Sequence, residues 1–190
     1  MPLGANALIT ADDLMAVLKP PDEDLPVCEA IVDGVSDFFN LKTHRTLRQT
    51  TYTALYLDGN GSSLFWLPNA PVISTGLTVA LGSPTPVALV LNTDYYIDLA
   101  RGCLMKVSGV WTKGVRNILT TLTAGWTTAN LPKDLRLACL KQAAHEYQLF
   151  RSKSWGETSR SMGGQSVSVS EEHLVPGVKE TLQLYERIAS

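Results

Sequence analysis

The chain has 190 residues, of which 45% are apolar, and a formal net charge of −2. This length suits one domain, or one core domain with an insertion, and it can bury a core without disulfide bonds. A near-neutral chain is not expected to bind nucleic acid over its whole surface. No apolar run approaches the roughly 20 residues that span a bilayer, and residues 1–9 lack the pattern of a secretory signal.

Charge is unevenly distributed along the chain. Residues 1–47 hold eight acidic and three basic residues, whereas residues 48–129 hold three acidic and five basic residues. The acidic end of one subunit could therefore attract the basic middle of a neighbouring subunit. Ordinary solvated surface is the simpler explanation, and the sequence leaves both open.

The three cysteines, Cys28, Cys103 and Cys139, are far apart and form no CxxC pair. An odd number of separated cysteines in a chain of this length does not indicate a disulfide framework. Cys28 and Cys139 lie in apolar helical runs, where a thiol behaves as a small hydrophobe. We therefore predict free thiols, buried at these two positions, and a reducing compartment.

Two helices are predicted in the first part of the chain. Thr10 caps the first helix, which has acidic residues in its first turn and ends before Pro20-Pro21. The second opens at Asp22-Glu23-Asp24 and continues to about residue 42. Its apolar stripe is broad, so we expect a helix that is buried on more than one side or shared between subunits.

The middle of the chain, residues 48–128, changes to short runs of β-forming residues separated by Gly and Pro. Residues 50–57 and 64–67 flank an Asp-Gly-Asn-Gly sequence, which predicts a hairpin between them. The spacing of the runs indicates a small antiparallel sandwich or barrel-like block. Further strands are predicted at 72–73, 77–81, 87–91, 95–97, 103–107 and 117–126.

Helices return after the β block. Pro132 is predicted as the first residue of a long helix whose apolar surface extends to Phe150. A polar stretch from 152 to 173 reads as a loop, and a last helix starts at Pro176. We therefore predict an α+β fold, in which residues 1–47 and 129–190 form a helical bundle and residues 48–128 form an inserted β domain.

Groups that could carry catalysis or bind a metal ion are scattered. His44, His145 and His173 are isolated from one another, and no P-loop, GxSxG, GxGxxG or HExxH motif is present. The acidic residues at 12–13 and 22–24 lie at helix starts, where the helix dipole favours them. We predict no catalytic residue, no metal site and no cofactor, and hence no enzyme.

Trp66 and Trp111 leave one alternative open. If both were exposed beside a groove, they would indicate an enzyme or carbohydrate-binding module that uses the β block as its ligand face, whereas buried tryptophans with no groove would remove this alternative. Lys106, Lys113 and Arg116 are too sparse for a base-stacking platform with interleaved basic residues. Specific nucleic-acid binding is therefore not expected.

Four groups of short sequences occur in order through nearly the whole chain. The first two are LITADDL with AIVD, starting at residues 8 and 30, and LDGNG, LFWLP and PVIS, starting at 57, 64 and 71. The others are DYYID, GCL and TAGW, starting at 94, 102 and 123, and LPKDL, ACL and AA, starting at 131, 138 and 143. In this order and spacing, they resemble the head–tail connector (adaptor) proteins of long-tailed bacteriophages and related gene-transfer particles.

The resemblance implies a structural virion protein that forms a ring, of twelve subunits, beneath the portal. Such a ring extends the DNA channel and links the capsid to the stopper or tail-completion protein. Double-stranded DNA would pass through it without sequence-specific binding. The subunit would be made in the host bacterial cytoplasm and would have no membrane partner. Another phage neck or tail-completion protein is the alternative.

The resemblance also implies that the C-terminal segment docks on the portal protein. The matching segment here is 175–190, and the alternative is that its helix packs on the protein's own helices. The candidate portal-binding residues are Val178, Leu182, Tyr185, Arg187 and Ile188.

The resemblance does not explain the long polar segment 152–173. We expect this segment to become ordered on assembly, with Trp155, Arg160 and Met162 as its candidate contact residues. The polar segment and the narrow apolar stripe of the last helix together suggest a subunit that stays monomeric until a portal nucleates the ring.

Overall fold

The computed structural model describes residues 4–152, 159–162, 165–168 and 174–187, with the backbone alone for 159–162 and 165–168. These residues form a mixed α+β fold with four α-helices and antiparallel sheets. The chain divides into two compact units. The helical unit is Met1–Thr43 with Asn130–Glu186, and His44–Ala129 makes up most of the β unit.

The helical unit has helices α1 (Ala11–Leu18), α2 (Leu25–Thr43), α3 (Lys133–Arg151) and α4 (Val178–Leu184). The predicted cap of α1 is confirmed, because Thr10 Oγ1 accepts from the Asp13 N–H and the Asp13 carboxylate accepts from the Thr10 N–H. The acidic residues Asp22–Asp24 form a 3-10 turn that leads into α2. Pro132 was predicted as the first residue of α3, but it precedes the helix as its N-cap.

The core of the helical unit lies where α2 packs against α1 and α3. Leu14, Phe39 and Leu135 are completely buried there. Cys28 and Cys139 are also buried, and the prediction of free thiols is confirmed for all three cysteines of the chain. Burial raises the pKa of the Cys139 thiol to about 12, so this thiol stays protonated and unreactive at neutral pH.

A buried polar contact joins the start of α2 to the end of α3. The Tyr147 hydroxyl donates to Asp24 Oδ2 at 2.5 Å, and Arg151 Nη1 lies 3.3 Å from the same oxygen. Burial, and then the hydrogen bond to Asp24, raises the pKa of Tyr147 to about 12. The phenol therefore remains the hydrogen-bond donor at neutral pH.

The β unit contains two antiparallel sheets. Its strands are β1 (Thr50–Gly59), β2 (Leu64–Trp66), β3 (Val72–Leu81), β4 (Val87–Leu89), β5 (Tyr95–Asp98), β6 (Cys103–Lys106) and β7 (Gly114–Ala124). The strand order is β1-β7-β3-β4 in the larger sheet and β2-β6-β5 in the smaller one. Side chains from both sheets belong to one buried cluster, in which the Trp111 ring lies 5.8 Å from Phe65 and 6.3 Å from Tyr95.

The two ends of the β unit are hydrogen-bonded to each other. The Gln49 N–H donates to the Trp126 carbonyl oxygen, and the Trp126 N–H donates to that of Leu47, both at 2.9 Å. Gly125 has a φ of +101°, and a Cβ there would lie 2.6 Å from the Arg48 carbonyl oxygen. Glycine is therefore required at position 125, where the chain leaves the β unit close to the point at which it entered.

The predicted hairpin between residues 50–57 and 64–67 is wrong. β1 pairs with β7, and β2 pairs with β6 in the other sheet. A type I′ hairpin needs two consecutive residues with positive φ, but in Asp58–Gly61 only Gly61 has one. Asn60 makes a different turn, because its Oδ1 accepts from the Ser62 N–H and its Nδ2 donates to the Leu64 carbonyl. This turn carries the chain from one sheet into the other.

The remaining predicted strands agree with the observed ones except at their ends and at a break predicted inside β3. Residues 72–73 and 77–81 belong to the single strand β3, whose pairing shifts register around Gly76 at a φ of +79°. In the segment predicted as a loop, β8 (Ser159–Met162) pairs antiparallel with β9 (Gln165–Ser168). Among the described residues, no helix combines the length and apolar character that crossing a membrane requires.

Candidate interaction surface

Histidines and acidic residues do not converge in the part of the chain that the structure describes. No group of three or more His, Cys, Asp or Glu side chains there could hold a metal ion. His44 belongs to the β unit and His145 to the helical unit, and His173 lies outside the described residues. Among the described residues, the candidate sites are therefore apolar and charged surfaces.

The tryptophans of the β unit do not form an exposed pair. Trp111 is completely buried at the centre of the β core, and Trp66 is half-buried. The ligand-binding alternative depends on both rings being exposed beside a groove, so the position of Trp111 argues against it.

A groove of about 730 Å³ lies between α2 and α3. From α3 it is lined by Gln142, Glu146 and Phe150. The lining residues of α2 recur every three or four positions, so they lie on one face of the helix. They are Pro26, Val27, Ala30, Ile31, Gly34, Val35 and Phe38. The broad apolar stripe of this helix is therefore only partly covered by the rest of the helical unit.

The groove combines open access with an apolar lining. Ala30 and Gly34 are exposed, which lets a partner approach the α2 backbone, whereas Ile31 and Val35 are buried. On the α3 side, Gln142 Nε2 donates to Glu146 Oε1 at 2.9 Å. Glu146 is the one residue with an ionisable side chain among the described lining residues.

The stretch of chain that includes the α2 face of the groove is acidic. Residues 22–38 contain six acidic residues and no basic residue. Asp33 accepts hydrogen bonds from the Gly4 N–H, and Asp37 accepts one from Asn6 Nδ2. These neutral donors fix the segment before α1 against α2 and leave the negative charge of both carboxylates in place.

The loop between β6 and β7 is held firmly by its backbone. The Trp111 N–H donates to the Ser62 carbonyl, and the Trp111 carbonyl accepts from the Gly61 N–H, both at 2.8 Å. Asn117 Nδ2 donates to the Thr112 carbonyl at 2.7 Å. Together with the buried Trp111 side chain, these bonds anchor the loop to the β unit.

The same loop and the start of β7 present valines and basic residues to solvent. Val110 is 51% exposed and Val115 is 76% exposed, and Lys113 and Arg116 are exposed beside them. Residues 101–116 contain four basic residues and no acidic residue. This surface is therefore apolar with basic side chains, and two carboxylates lie near it: Asp58 Oδ1 accepts from the Arg116 N–H at 2.7 Å, and Asp98 Oδ2 lies 3.9 Å from Arg101 Nε. The surface is called the valine loop below and comprises Val107–Arg116.

The candidate portal-binding residues of the last helix lie in different environments. Val178 and Leu182 are buried in the helical unit, where α4 packs on α3 and α2. The Tyr185 hydroxyl donates to the Asp134 carboxylate at 2.8 Å, and Arg187 is exposed. Ile188 lies outside the described residues. Sequence reasoning missed Leu184, which is 79% exposed on the free side of α4.

The three candidate residues of the polar segment are only partly described. Trp155 lies outside the described residues, and Arg160 and Met162 are described by their backbone alone, in β8. Sequence reasoning also missed the groove. The sequence signal for the groove was the breadth of the apolar stripe on α2. This breadth predicted a helix that is buried or shared between subunits, but it did not predict which part of the stripe would stay exposed.

Sequence-based comparisons find no relative of the chain. No protein-family model matches it, and no curated protein matches it at a significant level. Comparison of three-dimensional structures does find similar proteins, and they cover the whole chain.

Three of the similar chains come from gene transfer agent (GTA) particles. One, from the neck of an empty GTA particle computed with C6 symmetry, has a TM-score of 0.62 at 14% identity. Another, from the virion of a native GTA particle, has a TM-score of 0.59 at 15% identity. A third, from the neck of a native GTA particle computed with C12 symmetry, has a TM-score of 0.54 at 19% identity. Each match covers 100% of this chain and 94% of the other. The chain has the fold of these neck and virion proteins.

Proposed function

We propose that the chain is a structural protein of a virion neck, and specifically a head–tail adaptor. The observation that carries this proposal is the full-length likeness in fold to chains from GTA necks, which leaves no part of the chain unmatched. An enzymatic role is not part of the proposal. In this interpretation, residues 1–47 and 129–190 are a helical bundle and residues 48–128 are an inserted β sandwich.

The proposed assembly is a ring of twelve subunits beneath the portal. The C12 symmetry applied to one of the matched necks supports this number. The ring extends the channel through which double-stranded DNA passes and joins the capsid to the stopper or tail-completion protein. A net charge of −2 is compatible with a channel in which DNA slides, because many phosphate contacts would bind DNA tightly.

The C-terminal segment is proposed as the part that docks on the portal, with a set of contact residues that differs from the one predicted from the sequence. Val178 and Leu182 fix α4 to its own unit. The portal would then contact the free side of the helix and the residues after it, namely Leu184, Tyr185, Arg187 and Ile188.

Leu184→Asp with Arg187→Glu is expected to abolish capture by the portal ring. Leu137→Asp, at a residue 52% exposed on α3, is the matched control and should not affect capture.

The polar segment 152–173 is proposed to take its final conformation on assembly, through Trp155, Arg160 and Met162. Hydrogen exchange measured on the free chain and on assembled particles tests this role. Protection of amides in this segment should increase in the particle, and equal exchange in both states would contradict the proposal.

The decisive experiment for the proposed function is mass photometry of the full chain, alone and with the portal ring from the same particle. A species near twelve subunits, formed alone or only with the portal, is the expected result. A chain that stays monomeric and ignores the portal would overturn the adaptor role and favour another position in the neck.

A further inference from the structure

We propose that Asn60 is a site of spontaneous deamidation, and that the turn between β1 and β2 controls the rate of the reaction. Asn60-Gly61 is the one Asn-Gly pair in the sequence. An asparagine before glycine is especially prone to this reaction, because glycine has no side chain to hinder attack by its backbone nitrogen. The inference concerns one turn of the β unit and is independent of the proposed function.

The reaction consumes only the chain and water. The backbone nitrogen of Gly61 loses its proton and attacks Cγ of Asn60. A new N–C bond forms, the side-chain amide leaves with that proton as ammonia, and the product is a five-membered succinimide. Water then opens the ring at either carbonyl, which gives aspartate or isoaspartate and adds one negative charge. Asn60 is exposed, so water reaches it in the folded protein.

Three hydrogen bonds hold the reacting groups in an unreactive arrangement. The Gly61 N–H, which must lose its proton, donates to the Trp111 carbonyl at 2.8 Å. Asn60 Nδ2, the leaving group, donates to the Leu64 carbonyl at 2.9 Å, and Asn60 Oδ1 accepts from the Ser62 N–H at 3.0 Å. Attack requires the first bond to break, and rotation of the side chain towards Gly61 breaks the other two. The closed turn therefore suppresses deamidation although the site is open to water.

Local opening of the turn, rather than unfolding of the whole β unit, should limit the rate. Residues 60–64 are exposed, so their hydrogen bonds compete with water and each is weak. Such bonds open locally at free energies below that of global unfolding. Opening is fast compared with the slow chemistry, so the rate follows the open fraction. We expect deamidation to be about 10- to 1,000-fold slower in the folded chain than in the unfolded chain.

The product cannot rebuild the same turn. In aspartate an oxygen replaces Nδ2, so two acceptors would face each other across the 2.9 Å that now separates Nδ2 from the Leu64 carbonyl oxygen. Isoaspartate lengthens the backbone before Gly61 by a methylene, which displaces the Gly61 N–H from the Trp111 carbonyl. Deamidation therefore makes opening irreversible at the point where the chain passes from one sheet into the other.

Asn117 offers a way to loosen the turn without changing the reacting residues. Its Oδ1 accepts from the Gly59 N–H at 2.8 Å, and its Nδ2 donates to the Thr112 carbonyl at 2.7 Å. It therefore holds the residue directly before Asn60 and the residue directly after Trp111. Asn117→Ala leaves the Asn-Gly pair itself unchanged and should raise the rate of deamidation in the folded protein.

The test is peptide mapping by mass spectrometry while the full chain is incubated at mildly alkaline pH. The samples are the folded parent, the parent in urea, Asn117→Ala and Thr120→Ala. Thr120→Ala is the matched control, because it removes a hydrogen bond from β7 to the Thr78 carbonyl, away from the turn. Fragment spectra locate the mass change that replacement of the amide by a carboxylate produces. Isomerisation of Asp58 leaves the mass unchanged and cannot be mistaken for it.

The expected result is slow deamidation at Asn60 in the folded parent, faster reaction in Asn117→Ala and the fastest reaction in urea. Equal rates in the folded parent and in urea would overturn control by the turn. Equal acceleration by Asn117→Ala and Thr120→Ala would overturn it too, because the reaction would then follow general unfolding. An unmodified Asn60 in urea would overturn the site itself. The urea comparison needs only the parent chain, so it decides the question even if Asn117→Ala does not fold.

A second measurement addresses the consequence of the reaction. Asn60→Asp reproduces one product and should lower the midpoint of thermal unfolding by about 2–4 °C, because the Leu64 carbonyl loses its donor. Asn92→Asp, at another exposed asparagine, is the matched control and should leave the midpoint unchanged. An unchanged midpoint in Asn60→Asp would contradict the claim that the product cannot rebuild the turn.

Discussion

At the scale of single residues, Asp13 connects α1 to α3 through one carboxylate. One oxygen accepts from the Thr10 N–H, and the other lies 2.6 Å from Arg136 Nη2. Partial burial acts to raise the pKa of Asp13, but the hydrogen bonds from Thr10 and Arg136 outweigh it and hold the pKa below its ordinary value of 3.8. The folded state therefore binds the proton less readily than the unfolded state does.

Asp13→Asn is expected to lower the free energy of unfolding at neutral pH by about 0.5–1 kcal/mol, a modest value because Arg136 is partly exposed to solvent. The stabilisation by Asp13 is complete above pH 3.8 and is lost as the pH falls through the lower, folded pKa. Urea unfolding at a series of pH values should show the difference between parent and variant shrinking below this point. Asp12→Asn, at an exposed residue of the same turn, is the control. A difference that stays constant into acid would contradict the ionic explanation.

The stabilisation by Tyr147 has the opposite pH dependence and is lost at high pH. Tyr147→Phe removes the donor to Asp24 and is expected to lower the free energy of unfolding by about 1–2 kcal/mol at neutral pH. Because the folded pKa is raised to about 12 from 10.0, this stabilisation is present below pH 10 and declines as the pH rises towards 12. Denaturant titrations of both proteins in this range should show the gap closing. Tyr96→Phe, at a half-exposed ring, should show no such gap.

At the scale of elements, two glycines should respond in opposite directions to the same substitution. Gly34→Ala in α2 meets open space and reduces the flexibility of the unfolded chain, so it should stabilise the protein by about 0.5–1 kcal/mol. Gly125→Ala places a Cβ against the Arg48 carbonyl at a positive φ and should destabilise it by several kcal/mol. Thermal unfolding measures both. Equal effects of the two substitutions would contradict this assignment.

Elements whose signals are local could be predicted from the sequence. The cap at Thr10, the acidic opening of α2 and most strands depend on neighbours in the chain. The pairing of β1 depends on a partner more than 50 residues away, and local turn chemistry cannot reveal it. Gly59 illustrates the error, because an added Cβ would lie 2.0 Å from the Thr112 carbonyl oxygen. Glycine is needed there for a close approach to the valine loop and not for a hairpin turn.

The groove could be predicted only in part for a similar reason. The sequence identifies the apolar residues of α2. How much of their surface is buried depends on the position of α3, which lines the groove with Gln142, Glu146 and Phe150. The exposure of Leu184 likewise depends on which face of α4 packs on α3. Because α4 is so short, the spacing of its apolar residues does not clearly distinguish its buried face from its exposed face.

At the scale of the whole molecule, the continuous stretch His44–Ala129 forms nearly all of the β unit. Its ends are hydrogen-bonded to each other, and its core is its own cluster around Trp111. We therefore expect a fragment of residues 44–129 to fold independently. Dispersed amide signals in an NMR spectrum and a cooperative thermal transition would be the evidence. A fragment with Trp111→Ala should lose both, and a collapsed parent fragment without a transition would contradict the expectation.

The hydrogen bonds of Trp126 with Gln49 and Leu47 also bear on how the β unit would respond to mechanical force. β1 begins and β7 ends at this same end of the larger sheet, with Thr50 opposite Ala124. A pull that separates the two connecting segments loads the hydrogen bonds of this antiparallel pair one after another, so the sheet unzips at low force. A pull along β1 and β7 in opposite directions loads the whole ladder in shear, and the same sheet resists it. We therefore expect the β unit to be mechanically weak along one axis and strong along another.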